Sequence, residues 1–172
     1  MPIGTSGNNN LFATLFDRNF IGSGGNDTLN GLVGSGIDTA DYSSLTNAGI
    51  AQRITLLPTG VVSKGVSGLF GTDQLNSIER IIANASATNN SIDASTAGAG
   101  ATITVNLNTS SLIVNGIPGL GSLSFSVLNF DDVTGTSGND SIIGDSQNNI
   151  LNGGAGNDTI NGGNGNDTVD GG

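Results

Sequence analysis

The 172-residue sequence contains no cysteine, no histidine and no tryptophan. Without thiols or imidazoles there is no disulfide framework, no zinc finger, no CxxC redox pair, no haem held by His or Cys, and no Ser-His or Cys-His nucleophile. Positive charge is scarce: 4 Lys and Arg stand against 14 Asp and Glu, for a formal net charge of −10. A phosphate backbone or an anionic membrane surface would be repelled, so no nucleic-acid partner is expected. No run approaches the roughly 18 uncharged apolar residues of a membrane span. The opening residues lack both the basic and the apolar stretch of a cleavable export signal. Aromatics make up 4% of the chain, too few to stack on sugars, so Asp131 and Asp132 read as solvated or cation-facing turn residues rather than a glycosidase pair. Asp17 and Asp73 read as turn or cap residues, and no glycine spacing fits a dinucleotide fingerprint. An enzyme is not expected.

What is abundant is glycine, 29 residues, well above the usual share of about 7%. Glu79 is the one glutamate among the acids; aspartate, a short carboxylate, suits tight turns and close cation loops. From Gly135 the chain divides into nines: GTSGNDSII, GDSQNNILN, GGAGNDTIN and GGNGNDTVD, ending at Asp170. Position eight is Ile142, Leu151, Ile160 and Val169, and position six is Asp140, Asn149, Asp158 and Asp167. The N-terminal stretch has the same phase: GTSGNNNLF from Gly4, the degenerate ATLFDRNFI, GSGGNDTLN with Asp27 at position six, and, after two extra residues, VGSGIDTAD with Asp38 there.

Glycines at positions one, two and four let six residues wind into a turn whose carbonyls point inward. The last three residues make a short strand with one side chain facing the core. Burying that side chain is worth about 1.5–3 kcal/mol, whereas ordering nine residues costs on the order of 10 kcal/mol or more. A further stabiliser is required. Aspartate beside a ring of carbonyl oxygens is an all-oxygen, hard-cation environment, which fits calcium better than magnesium or a transition metal.

These nonapeptides resemble the RTX (repeats-in-toxin) calcium-binding repeat GGxGxDxUx of haemolysin type, which GGAGNDTIN and GGNGNDTVD match at every defined position. The resemblance implies an all-β parallel β-roll or β-solenoid. In it two nonapeptides make one coil, and each calcium ion sits between position-six loops of repeats two apart. It implies metal ligation by Asp27, Asp38, Asp140, Asn149, Asp158 and Asp167, with Asp140 paired to Asp158 and Asn149 to Asp167. Backbone carbonyls of the Gly-rich loops, at Gly138, Gly154, Gly156, Gly163 and Gly165, would complete the shells. Asn9 and Asn149 depart from the pattern by one charge. Arg18, at position six of the degenerate repeat, cannot bind calcium, and its guanidinium is expected where the ion would sit, opposite Asp38.

Three regions are therefore expected: degenerate repeats over 1–41, a non-repeating β-rich middle over 42–134, and the strict repeats over 135–172. The middle shows strand alternation at Ala101–Asn108 and Leu123–Val127 and a turn marked by Asn115-Gly116 followed by Ile117-Pro118-Gly119. Leu75, Ile78 and Ile82 have helical spacing, though their Gly- and Asn-rich flanks argue against a helix. An echo of Asn129–Ile142 in Ile78–Ile92 favours wider, more apolar coils continuing the solenoid, the rival being a separate β-sandwich. In function, the expectation is a calcium-folded extracellular or cell-surface bacterial module that stacks head to tail as a homo-oligomer. The alternatives are the non-catalytic part of a larger secreted protein, or an ice- or glycan-binding solenoid. Position three reads Ser6, Gly24, Ser137, Ser146, Ala155 and Asn164, which is not the flat threonine row that ice binding needs.

Overall fold

The computed structural model describes residues 3, 5–15, 18–21, 23–34, 36–65, 68 and 70–172; Asp17 lies outside this set. Among these residues the chain is all-β, with no α-helix. Two large sheets carry the architecture. Across the nine-stranded sheet the order is Asn10–Phe12, Thr28–Asn30, Thr72–Asn76, Val61–Lys64, Ile54–Leu56, Ser91–Asp93, Asp132–Thr134, Ile150–Asn152 and Thr168–Asp170. Across the eight-stranded sheet it is Thr159–Asn161, Ser141–Ile143, Thr102–Asn106, Ser111–Ile117, Gly121–Leu128, Arg80–Ile82, Thr39–Asp41 and Asn19–Ile21.

At both ends of the chain successive strands alternate between the two sheets and pair in parallel 18 residues apart, as Ser141 does with Thr159 and Ile150 with Thr168, or 20 apart across the two extra residues, as Asn19 does with Thr39. This arrangement is consistent with an RTX β-roll. Each short strand has room for one inward side chain, and the nonapeptide places its single large apolar residue there. Leu29, Leu151 and Val133 line one sheet, and Phe20, Ile81 and Ile142 the other, all at most 1% exposed. The columns thin out at the edges, where Ile160 is half-buried and Val169 is 50% exposed.

The middle differs from a plain series of wider coils. After Thr39–Asp41 the chain crosses to Ile54–Leu56, two strand positions ahead, and zigzags back through Val61–Lys64 to Thr72–Asn76, which pairs in parallel with Thr28–Asn30. The other sheet repeats the device, with Thr102–Asn106, Ser111–Ile117 and Gly121–Leu128 running back to Arg80–Ile82. Both antiparallel meanders are built into the two sheets, so these residues do not form a separate sandwich. The helical spacing at Leu75, Ile78 and Ile82 is spent on two strands that end in different sheets.

The expected turn falls in the second half of the stretch that marked it, at Pro118 to Leu120. Asn115-Gly116 instead forms a bulge in a strand whose register shifts between Val114 and Ile117, with Gly116 at φ 73°. Its Cα packs so close to Gly100 that a Cβ there would meet the Gly100 carbonyl at 2.7 Å. The Asn-Gly pairs at Asn30, Asn152 and Asn161 end strands whose successors lie in the opposite sheet, so none is a hairpin turn.

Candidate metal centre

The position-six residues stand one before each strand, and strand pairing stacks them into two columns along the edges of the sheets. In the C-terminal repeats Asp158 Oδ1 accepts the Asp140 backbone N–H at 2.8 Å, and Asp167 Oδ1 accepts that of Asn149 at 3.0 Å. The structure thus brings together Asp140 with Asp158 and Asn149 with Asp167. Asp140 is 3% exposed and fully engaged: Oδ1 accepts from Ile103 N at 2.6 Å and Oδ2 from Thr136 N at 2.7 Å. Asp158 Oδ2, by contrast, is buried with no hydrogen-bond donor.

The glycine half of each repeat supplies backbone oxygens. Gly154 and Gly156, at φ 91° and 120°, lie so close to the loop two repeats earlier that a Cβ on either would collide with the Thr136 or Gly138 carbonyl. Gly163 and Gly165 stand in the same relation to the carbonyls of Asp145 and Gln147, and Gly138 to that of Ala101. Only glycine allows this stacking of carbonyl on loop. Among the described residues no three carboxylates converge. A divalent ion here would therefore take most of its oxygens from the backbone, with Asp158 Oδ2 a buried carboxylate oxygen free to join them. An all-oxygen donor set of this kind suits a hard cation.

Asn149 is placed otherwise than a simple ligand. Its Oδ1 accepts from Asp145 N at 2.9 Å and its Nδ2 donates to the Asp131 carbonyl at 2.7 Å, so the amide ties neighbouring loops by hydrogen bonds alone. Asn9 Oδ1 likewise accepts from Thr5 N at 2.7 Å.

The columns continue through the middle, in residues that the glycine pattern did not reveal. Asp73 Oδ1 accepts from Asp27 N at 3.0 Å, Asp131 Oδ2 from Asn90 N at 3.0 Å, and Asn90 Oδ1 from Ile54 N at 3.0 Å. In the second column Glu79 Oε2 accepts from Asp38 N at 2.9 Å. The sequence signal was present: Asp73-Gln-Leu-Asn, Glu79-Arg-Ile-Ile, Asn90-Ser-Ile-Asp and Asp131-Asp-Val-Thr keep the second half of the nonapeptide without the glycines. Burial pushes the Asp73 carboxyl up from its ordinary value, against the pull of the Lys64 ammonium. Burial also pushes up that of Asp131, with repulsion from Asp132 and Asp145 opposing the Asn90 N–H.

Two carboxylates of the N-terminal part meet cations of the chain itself. Arg18 Nη1 lies 2.9 Å from Asp38 Oδ2, as its position in the repeat led one to expect. Lys64, fully buried, donates to Asp73 Oδ1 and lies 3.5 Å from Asp27 Oδ2.

Stacked glycine loops, most of them with a carboxylate or carboxamide at position six, make up a repeat module. The family comparison names it: the RTX calcium-binding nonapeptide repeat (4 copies) matches residues 3–39, 129–160 and 143–172, so both ends of the chain are RTX repeats. No curated protein matches the chain.

Proposed function

We propose that the chain is a non-catalytic, calcium-folded structural module of the bacterial cell exterior, wound as a β-roll with the ion between the Asp140 and Asp158 loops and again between those of Asn149 and Asp167. The observation that carries this reading is Asp158 Oδ2, a buried carboxylate oxygen without a donor, beside loops whose carbonyls stack on glycine. Asp27 and Asp38 belong to the same ladder but have cationic side chains against them, which makes them weaker candidates as ligands than Asp158 and Asp167. Affinities suited to extracellular calcium, roughly 10⁻⁴ to 10⁻³ M, are expected. A groove of about 470 Å³ lined by Thr88, Asn89, Asp132, Gln147 and Asn166 has no aromatic wall, which disfavours glycan binding. Calorimetric titration of chelator-treated protein tests the reading: saturable calcium uptake with a gain of β signal is expected, and identical circular dichroism with and without calcium would refute it.

The outermost strands support a further element of the same proposal. Among the described residues Asn10–Phe12 and Thr168–Asp170 are each paired on one side, and Phe12 and Val169 are 62% and 50% exposed. Unlike edges of this kind stack head to tail, giving an open filament unless the rotation closes. Light scattering in millimolar calcium should show mass growing with concentration; a monomer at every concentration would end this part of the proposal.

A further inference from the structure

The Lys64 ammonium is placed by the first meander. Its strand, Val61–Lys64, is antiparallel to Thr72–Asn76, with Val62 and Lys64 both pointing inward and both fully buried. A lysine is almost never found there without a specific partner. Its donors go to Ser23 O at 2.7 Å, to Asp73 Oδ1, and toward Asp27 Oδ2 at 3.5 Å. Ser23 is at position two of its nonapeptide and Asp27 at position six, while Asp73 is the position-six counterpart one layer on. The relation of Asp73 to Asp27, later carboxylate on earlier N–H, is that of Asp158 to Asp140. In the C-terminal repeats the matching groups are the Asp158 and Asp140 carboxylates and the position-two carbonyl of Thr136, and among the described residues no ion pair joins a cationic side chain to either carboxylate. Lys64 therefore gathers two carboxylates and a loop carbonyl, the oxygen types a calcium ion would gather.

Arg18 repeats the arrangement in the other column. Its guanidinium is held against Asp38 Oδ2, which also accepts Leu32 N at 3.0 Å. Gly36 makes room for it, since a Cβ there would lie 2.8 Å from Arg18 Cζ.

We propose that Lys64 and Arg18 are resident cations of the carboxylate ladder. They neutralise Asp27, Asp73 and Asp38 from within, so that the N-terminal half holds its fold without calcium and presents a finished edge on which the calcium-requiring repeats order. The idea rests on the reading of the C-terminal loops as calcium sites, and the test separates the two.

Hydrogen exchange on the full chain, in chelator and in millimolar calcium, is followed in peptides covering 54–64 and 72–82 and in peptides covering 135–172. Exchange over 54–82 is expected to differ by less than about threefold between the two conditions. Over 135–172 it should slow by about a hundredfold per site when calcium is at a hundredfold excess over its dissociation constant. Rapid exchange over 54–82 in chelator overturns the resident-cation proposal whatever the C-terminal peptides do; protected 135–172 peptides in chelator overturn only the calcium reading. In a second arm, Lys64→Ala removes the ammonium and leaves space. Its 54–82 peptides should lose protection in chelator and regain it in calcium, and protection in chelator equal to that of the unsubstituted chain would overturn the proposal. Should Lys64→Ala fold under neither condition, the exchange of the unsubstituted chain decides alone.

Discussion

The residues GTSGN begin a nonapeptide at Gly4 and again at Gly135, yet the two copies lie in regions that differ in whether cationic side chains accompany the acids. Residues 1–80 hold six acids and all four cations; residues 81–172 hold eight acids and no cation. In the first region Lys64 and Arg18 sit against ladder carboxylates, and in the second no cation of the chain is available; a buried carboxylate oxygen without a partner occurs in each, Asp38 Oδ1 and Asp158 Oδ2. One repeat motif thus supports two ways of balancing a column of carboxylates: side chains carried by the fold, or an ion supplied by the surroundings.

The sharpest way to break this comparison is Lys64→Met. Removing one partner of a buried ion pair leaves an uncompensated charge and should lower stability by about 3–5 kcal/mol. Urea denaturation followed by the fluorescence of Tyr42, the sole tyrosine in a chain without tryptophan, measures it; a loss under about 1 kcal/mol would contradict the role given to Lys64.

Matched core truncations sharpen the contrast. Leu29→Ala and Leu151→Ala remove equally buried leucines from one sheet, and each should cost about 2–5 kcal/mol in calcium. In chelator Leu29→Ala should keep its full effect on the Tyr42 transition while Leu151→Ala has none, since its surroundings are already unfolded.

Within the ladder, Asp158→Ala loses a charge-assisted bond to Asp140 N–H, about 1.5–3 kcal/mol, and should shift the calcium midpoint upward. Asn149→Ala loses neutral bonds of about 0.5–1.5 kcal/mol each and should move that midpoint less. A larger shift for Asn149→Ala would reverse the assignment of ligand and tie.

The smallest signal is an absence. Burial and the neighbouring Asp73 hold the Tyr42 hydroxyl well above its ordinary value, and it donates to Asp73 Oδ2 at 2.8 Å. With the folded value raised, its contribution to stability is present below about pH 10, where the unfolded phenol titrates, and is lost as pH rises further. Phenolate absorbance should therefore appear only together with unfolding, in chelator as in calcium.

The two ends were legible in the sequence because nine-residue phasing fixes loop, strand and inward side chain together, as at Asp158-Thr159-Ile160. The Arg18–Asp38 contact was legible for the same reason. The middle was not, because a meander places strands out of chain order, and no local pattern says that Thr72–Asn76 returns to Thr28–Asn30. Of the stretch read as a turn, Pro118-Gly119 is one, whereas Asn115-Gly116 is a bulge, because that dipeptide suits a bulge as well as a turn. Lys64 left one trace, its even spacing from Val62, which puts a charge on the inward face of a strand; its partners at Ser23 and Asp27 lie about forty residues away in the chain.

The two meanders also set a clock. At the C-terminal end each new strand lands on one laid down 18 residues before, whereas the seams at Asp27–Asp73 and Ala83–Asn129 close over 46 residues. The wider closure costs about 0.8 kcal/mol more in chain entropy, and it is rewarded only when three strands are in place. Formation of the centre is therefore expected to be the slow, all-or-none step, in keeping with the rate penalty of non-local pairing. Addition of the terminal repeats should follow quickly, one coil at a time, with a rate set by the arrival of the ion rather than by the search of the chain.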